Sequence, residues 1–142
     1  MAILQGLCTS FKVGMLGAVF NFASGTSQVF KIALYASTAD LGPSTTAYTP
    51  TGEITGTGYV AGGATLTISQ VPTSSGTTAY LSFANVSWPG SSLTARGALI
   101  YLADGGTNPA IAVLDFGADK TMTPFAVQFP VSDSSNAIIR FA

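Results

Sequence analysis

The segment Phe30-Lys-Ile-Ala-Leu-Tyr35 decides the fold, because Phe30, Ile32 and Leu34 alternate along it with Lys31, Ala33 and Tyr35. Alternation with a period of two places every second side chain on one face of a sheet, as a half-buried strand requires. The segments 65–69 and 125–129 alternate in the same way. All three segments are therefore predicted to be strands.

Longer apolar segments extend this pattern. Residues 80–88 and 93–102 are apolar on both faces, which predicts central strands or strands covered by a partner. Segments 111–116 and 137–141 bring the set to about eight strands. Turn sequences built from Gly, Pro, Asp and Ser separate the segments: Leu41-Gly-Pro43, Pro72-Thr-Ser-Ser-Gly76, Pro89-Gly90, Asp104-Gly-Gly106 and Ser132-Asp-Ser-Ser135. The pattern predicts an all-β chain, an antiparallel β-sandwich.

One helix is predicted, over Thr9 to Phe20. Its apolar stripe consists of Phe11, Met15, Leu16 and Val19, with Thr9 or Ser10 as the N-cap, although Gly14 and Gly17 weaken the helix by about 1 kcal/mol each. We therefore expect a single domain over residues 1–142, with an N-terminal helix or arm at 1–25 and the sandwich at 26–142.

The composition excludes several classes of function. The chain has 142 residues, of which 8% are charged, compared with about 25% in an average protein. It has no histidine, and Cys8 is its one cysteine. The common catalytic base is therefore missing, as are the ligands for a cysteine-based zinc or iron–sulfur site. We expect neither enzymatic activity nor a cofactor or bound metal.

The charge balance bears on partners. Five Lys and Arg against six Asp and Glu give a net charge of −1, so we expect no nucleic-acid partner. A surface with so little charge repels its neighbours poorly, which favours a chain that lives in an assembly, although a neutral monomer rich in Ser and Thr is the alternative. The apolar stretch 13–22 lacks the features of a signal peptide, and no segment has the roughly 18 consecutive apolar residues of a membrane span. Synthesis in the cytoplasm is the simplest expectation.

Several short motifs suggest chemistry that their surroundings do not support. Gly56-Thr-Gly-Tyr-Val-Ala61 matches a dinucleotide fingerprint, but a strand pattern follows where a helix is required. Asp115-Phe-Gly117 spells a kinase motif in a chain that is too short for a kinase, and an Asp/Gly turn ending a strand is the simpler interpretation. Asp115 and Asp119 are interpreted as a solvated turn with Lys120 beside it rather than a calcium site.

Aromatic and charged residues supply the candidate interface. Tyr48 and Tyr59 lie in loops where a sugar platform is conceivable, although aromatic residues at protein interfaces are commoner. Arg96 lies in an apolar strand, so we expect it to form a buried ion pair, within the chain or between subunits, for which Asp115 and Glu53 are candidates. The interface residues that we predict are Phe11, Phe20, Phe22 and Arg96, with the phenylalanines anchoring the N-terminal segment to a neighbour.

Several blocks in order resemble a family of small structural proteins of tailed bacteriophages. These blocks are Phe30-Lys-Ile-Ala-Leu-Tyr-Ala-Ser37, Thr45-Thr-Ala-Tyr48, Gly56-Thr-Gly-Tyr59, Ala61-Gly-Gly63, Ala95-Arg-Gly-Ala-Leu-Ile-Tyr101, Val113-Leu-Asp-Phe-Gly117 and Ala137-Ile-Ile-Arg140. The resemblance covers nearly the whole chain, except that Gly14 and Gly17 stand where the family pattern has bulkier or charged residues. It implies a virion component without catalytic residues.

Three roles on the virion are compatible with this resemblance. The first is a head decoration (cement) protein, homo-oligomeric on the particle, that binds the major capsid protein. The second is a tail or neck ring subunit or a tail-fibre component, and a glycan-binding virion module is a third interpretation. For the first role we expect residues 1–22 to be dispensable for folding but needed for docking.

Overall fold

A computed structural model describes residues 2–90 and 92–142 and is dominated by strands. The elements in chain order are β1 (Gly6–Leu7), α1 (Thr9–Leu16), β2 (Phe30–Tyr35), β3 (Ala64–Leu66), β4 (Ile68–Ser75), β5 (Thr78–Phe83), β6 (Val86–Trp88), β7 (Leu93–Leu102), β8 (Ala110–Met122), β9 (Phe125–Val127) and β10 (Ile139–Phe141). The prediction of an antiparallel all-β chain with one short N-terminal helix is confirmed.

The strands form three antiparallel sheets. The largest has the order β1-β8-β7-β2-β3, a second has the order β10-β5-β4, and β6 pairs with β9. β7 is central in the large sheet, where Phe30 of β2 lies opposite Leu102 and Tyr35 opposite Gly97. Both of its faces are largely buried, as its sequence predicts. Gly97 is confined by this packing, since a Cβ there would lie 2.5 Å from the Leu114 carbonyl oxygen.

The five-stranded and three-stranded sheets pack against each other through phenylalanine rings. Phe30 of β2 and Phe83 of β5 lie 6.3 Å apart between ring centroids. The ring of Phe22, from the segment that follows α1, lies 4.5 Å from Phe30 and 6.3 Å from Phe83. The space between the two sheets is thus filled in part by the N-terminal segment.

The helix begins and ends differently from the prediction. Its N-cap is Cys8, whose carbonyl accepts hydrogen bonds from the N–H groups of Phe11 and Lys12, and no side chain caps it. The Ser10 hydroxyl instead donates to the carbonyls of Thr45 and Ala110 at 3.4 Å. At the other end the helix stops at Leu16, four residues before Phe20, because Ala18 has a φ of 60° and reverses the chain.

The early end of the helix also places Phe20 and explains Gly14. Phe20 folds back over the helix, and a Cβ on Gly14 would lie 2.4 Å from the Phe20 ring. Residues 1–25, expected as a helix or arm packed on or beside the sandwich, include the predicted helix. The segment does more than pack beside the sheets, because Phe11, Phe20 and Phe22 belong to the hydrophobic core.

Candidate functional site

The most organised polar cluster of the described residues surrounds Glu53. Its carboxylate accepts hydrogen bonds from the hydroxyls of Tyr48 at 2.5 Å and Tyr59 at 2.6 Å, and from the N–H of Gly62 at 2.8 Å. The Tyr101 hydroxyl donates to the Gly62 carbonyl at 2.6 Å, and its ring stacks on Tyr48 at 4.8 Å. We call Glu53, Tyr48, Tyr59 and Tyr101 the tyrosine clasp.

Backbone pairing with β2 positions the clasp. The loop that carries Glu53 returns beside β2, where the N–H of Ile54 donates to the Leu34 carbonyl at 3.0 Å. The Tyr59 hydroxyl also accepts a hydrogen bond from the Leu34 N–H at 2.9 Å. Gly63 approaches β2 so closely that a Cβ there would lie 1.9 Å from the Ile32 carbonyl oxygen. A side chain at this position would therefore prevent the loop from crossing so close to β2.

Burial keeps the tyrosine hydroxyls of the clasp protonated. Burial is the first cause of a raised pKa at Tyr48, Tyr59 and Tyr101. The negative charge of Glu53 raises the three pKa values further, and its hydrogen bonds with Tyr48 and Tyr59 add to the effect at those two residues. The pKa of Tyr101 rises to about 12. At neutral pH these hydroxyls act as hydrogen-bond donors, and they lack the lowered pKa that would activate a nucleophile or base.

This geometry indicates that the clasp fixes the loops. Tyr48 and Tyr59 are half-buried, and their hydroxyls are already bonded within the chain. The sugar platform considered for these two residues gains no support from this arrangement. Glu53 was expected as a candidate partner of Arg96, and its role as the acceptor for both tyrosines was not predicted. The one available signal was that an acid lies five residues after Tyr48 and six before Tyr59.

Arg96 forms an ion pair with Asp115, at 3.0 Å between Nε and Oδ1. This pairing was one of the two predicted, but its expected burial is wrong, since the two side chains are 33% and 27% exposed. The hydrogen bond from Arg96 is the first cause of a lowered Asp115 pKa, and the N–H of Gly117 is the second. A partly exposed pair of this kind contributes little to stability and is poorly suited to anchoring a subunit.

Asp115 also corrects a second expectation. It does not end a strand, because β8 runs on to Met122 past an irregularity at which Ala95 pairs with Lys120 and Gly97 with Asp115. Gly117 has a φ of 82° in this bulge, and its N–H donates to Asp115. The kinase-like motif is thus a bulge in an antiparallel strand. The dinucleotide-like motif leads into β3 with no helix after it, as its sequence context predicts.

The three phenylalanines predicted to dock on a neighbour are buried. Phe11, Phe20 and Phe22 belong to the core, and Phe11 lies 5.0 Å from Phe20 and 6.1 Å from Phe22 between ring centroids. Their docking role is therefore wrong, since no surface of theirs is free to bind. The same segment exposes other large apolar residues instead: Leu4, Val13, Leu16 and Val19.

In residues 2–90 and 92–142, no group of three or more His, Cys, Asp or Glu side chains is arranged to hold a metal ion. No helix in that part of the chain has the length and apolar character to cross a membrane.

The chain matches no family model, no curated protein and no solved structure in the three comparisons.

Proposed function

We propose that this chain is a non-enzymatic structural protein of a tailed-bacteriophage virion, specifically a decoration (cement) protein that binds the major capsid protein lattice and stabilises the head. The resemblance of several blocks, in order, to small phage structural proteins supports the virion assignment. The low charge of the chain favours its incorporation into an assembly, because neighbouring copies repel one another only weakly.

The observation that carries the docking role is the exposed apolar surface of the N-terminal segment. Val13 and Leu16 are three residues apart on α1, so their side chains lie on one face of the helix. They are 65% and 92% exposed, and Val19, three residues beyond the end of the helix, is also exposed. Apolar side chains that protrude together in this way are typical of protein interfaces. In this proposal they contact the capsid lattice, and the buried phenylalanines beneath them hold the helix in place.

Copy number in purified virions tests the decoration role against the ring role. Quantitative mass spectrometry would measure this chain relative to the major capsid protein. A ratio near one, or near one-third, agrees with decoration, because a head lattice offers hundreds of equivalent sites. A ring closes with about 6–12 subunits, so a dozen copies or fewer would assign the chain to the tail or neck. Its absence from virions would contradict both roles.

Binding to particles tests the proposed surface. Particles lacking this chain would be mixed with purified protein and sedimented, comparing the unaltered chain with a Val13→Thr/Leu16→Gln variant. We expect the variant to fold normally, since exposed substitutions usually change stability by less than about 0.5 kcal/mol, but to lose most of its binding. Val131→Thr is a matched control at another exposed apolar side chain. Equal binding by all three proteins would rule out the helix surface.

A further inference from the structure

A groove of about 380 Å³ opens where the edges of the two main sheets meet. One wall consists of residues 5–7, in and beside β1, and residues 112–114 of β8. The other wall consists of Ile138, Arg140 and Ala142, in and beside β10. The groove thus lies between the five-stranded and the three-stranded sheet, on the side where each sheet ends.

Both walls include an outermost strand. Among the strands of residues 2–90 and 92–142, β1 ends the large sheet and pairs with β8 alone, and β10 ends the three-stranded sheet and pairs with β5 alone. In an antiparallel ladder, every second residue directs its N–H and C=O away from its neighbouring strand. Each outermost strand therefore presents unpaired backbone groups, which an additional strand is suited to satisfy.

The groove also holds a cation without a direct partner. Among the described residues, no carboxylate lies within 4 Å of the Arg140 guanidinium, and the one ion pair of that range joins Arg96 and Asp115. Asp133 is close enough for the charge of Arg140 to lower its pKa, but the carboxylate of Asp133 accepts its hydrogen bonds from Ser135 and Asn136. Arg140 is thus exposed and available to a carboxylate from outside the chain.

We propose that this groove binds an extended segment of a partner polypeptide, which pairs with β10 as an added strand and places a carboxylate against Arg140. The unpaired edge of β10 determines that the partner is extended, and the guanidinium determines that it is acidic at one position. Guanidinium–carboxylate pairs have a fixed geometry and also set the register of the added strand. This proposal does not depend on the capsid role.

A designed strand tests the proposal directly. The probe is the peptide Thr-Val-Thr-Asp-Val-Thr-Val, and the comparison peptide has Lys in place of Asp. Both would be titrated into the ¹⁵N-labelled full chain while the amide resonances of Leu7 and residues 138–141 are followed. We expect the acidic peptide to shift these resonances and the Lys peptide to bind about fivefold more weakly, as the loss of an exposed ion pair implies. Arg140→Glu should reverse this preference. Lys12→Glu makes the same change of charge on the exposed face of α1 and should leave the preference unchanged.

Three outcomes would overturn the proposal. The first is the absence of any shift at Leu7 and residues 138–141 with either peptide. The second is a shift that is equal for both peptides and unaffected by Arg140→Glu. The third is a change at the same amides with protein concentration alone, abolished by Arg140→Glu, which would assign the groove to a second copy of this chain. Failure of the capsid proposal in the copy-number measurement would leave these results unaffected.

Discussion

Ala18 occupies a backbone conformation that glycine usually takes. Its φ is 60°, and the turn that it forms is a Schellman motif, in which Val19 N–H donates to the Gly14 carbonyl at 2.8 Å and Ala18 N–H to the Met15 carbonyl at 3.3 Å. A residue with a Cβ is strained there by about 1–2 kcal/mol. The burial of Phe20 offsets this strain, because the turn directs its ring back over Gly14.

Substitution of this alanine is therefore expected to stabilise the protein. Ala18→Gly removes the strain but adds flexibility to the unfolded chain, for a net gain of about 0.5–1 kcal/mol in the free energy of unfolding. Urea denaturation followed by tryptophan fluorescence measures it. Ala23→Gly, at an exposed alanine with ordinary φ, is the control and should destabilise. A loss of stability in Ala18→Gly would mean that the turn is not left-handed.

Within the clasp, the two loop tyrosines are expected to differ in importance. The Tyr59 hydroxyl donates to Glu53 and accepts from the Leu34 N–H, whereas the Tyr48 hydroxyl donates to Glu53. Tyr59→Phe therefore leaves a backbone N–H unpaired and should cost about 2 kcal/mol, while Tyr48→Phe should cost about 1 kcal/mol. Chemical denaturation of both variants gives the comparison. Equal losses would show that the bond from Leu34 contributes nothing.

At the scale of elements, the N-terminal segment is required for folding. The loss of a buried phenylalanine costs about 3–5 kcal/mol, and deletion of residues 2–22 removes Phe11, Phe20 and Phe22 together. The sum of about 9–15 kcal/mol is comparable to the typical total stability of a domain, about 5–15 kcal/mol. We expect the truncated chain to show no cooperative thermal transition by circular dichroism, whereas the full-length Leu16→Gln variant should keep it. A folded truncated chain would restore the arm interpretation.

Strands that show a continuous apolar or alternating pattern along their own sequence were predicted correctly. Strand ends that are set by contacts with residues distant in the sequence were not. β2 and β7 have the predicted bounds. Segment 80–88 divides instead into β5 and β6, which belong to different sheets, and the Asn85 carboxamide at the break accepts the Phe129 N–H at 2.8 Å. Pro72, interpreted as a turn, lies within β4, where an edge strand with a register shift needs no N–H at that position.

For the clasp and for the N-terminal segment, too, part of the arrangement was predictable from the sequence and part was not. Local sequence indicated tyrosines in loops and an arginine that needs a partner, and it identified Asp115 as one candidate. It did not show that Glu53 would meet both tyrosines, because that contact depends on a loop returning to β2. It also assigned the phenylalanines to the surface, because an apolar residue near a terminus carries no local sign of the core that it fills.

At the scale of the whole molecule, charged residues are scarce, and the pH dependence of stability in alkaline solution depends on buried hydroxyl and thiol groups. Four tyrosines, Tyr35 and the three of the clasp, have a raised pKa, and burial is the first cause for each. Burial also raises the pKa of the Cys8 thiol to about 11, although the nearby charge of Lys12 opposes it. The folded protein therefore keeps these five protons at pH values where the unfolded chain begins to release them.

The consequence is a loss of stability in alkaline solution, with a sign set by these shifts. Below about pH 7.5 both states hold the protons and the contribution to stability is complete. Between the ordinary pKa values of about 8.5–10 and the raised ones, the unfolded state holds fewer protons, so the free energy of unfolding falls as pH rises. Denaturation midpoints measured from pH 7 to 11 should begin to decline near pH 8, where the unfolded Cys8 thiol ionises, and decline more steeply as the tyrosines follow. Tyr59→Phe, which removes one such proton, should make this decline shallower. A midpoint that stays constant to pH 11 would contradict the burial of these groups, and with it the closed packing of the clasp.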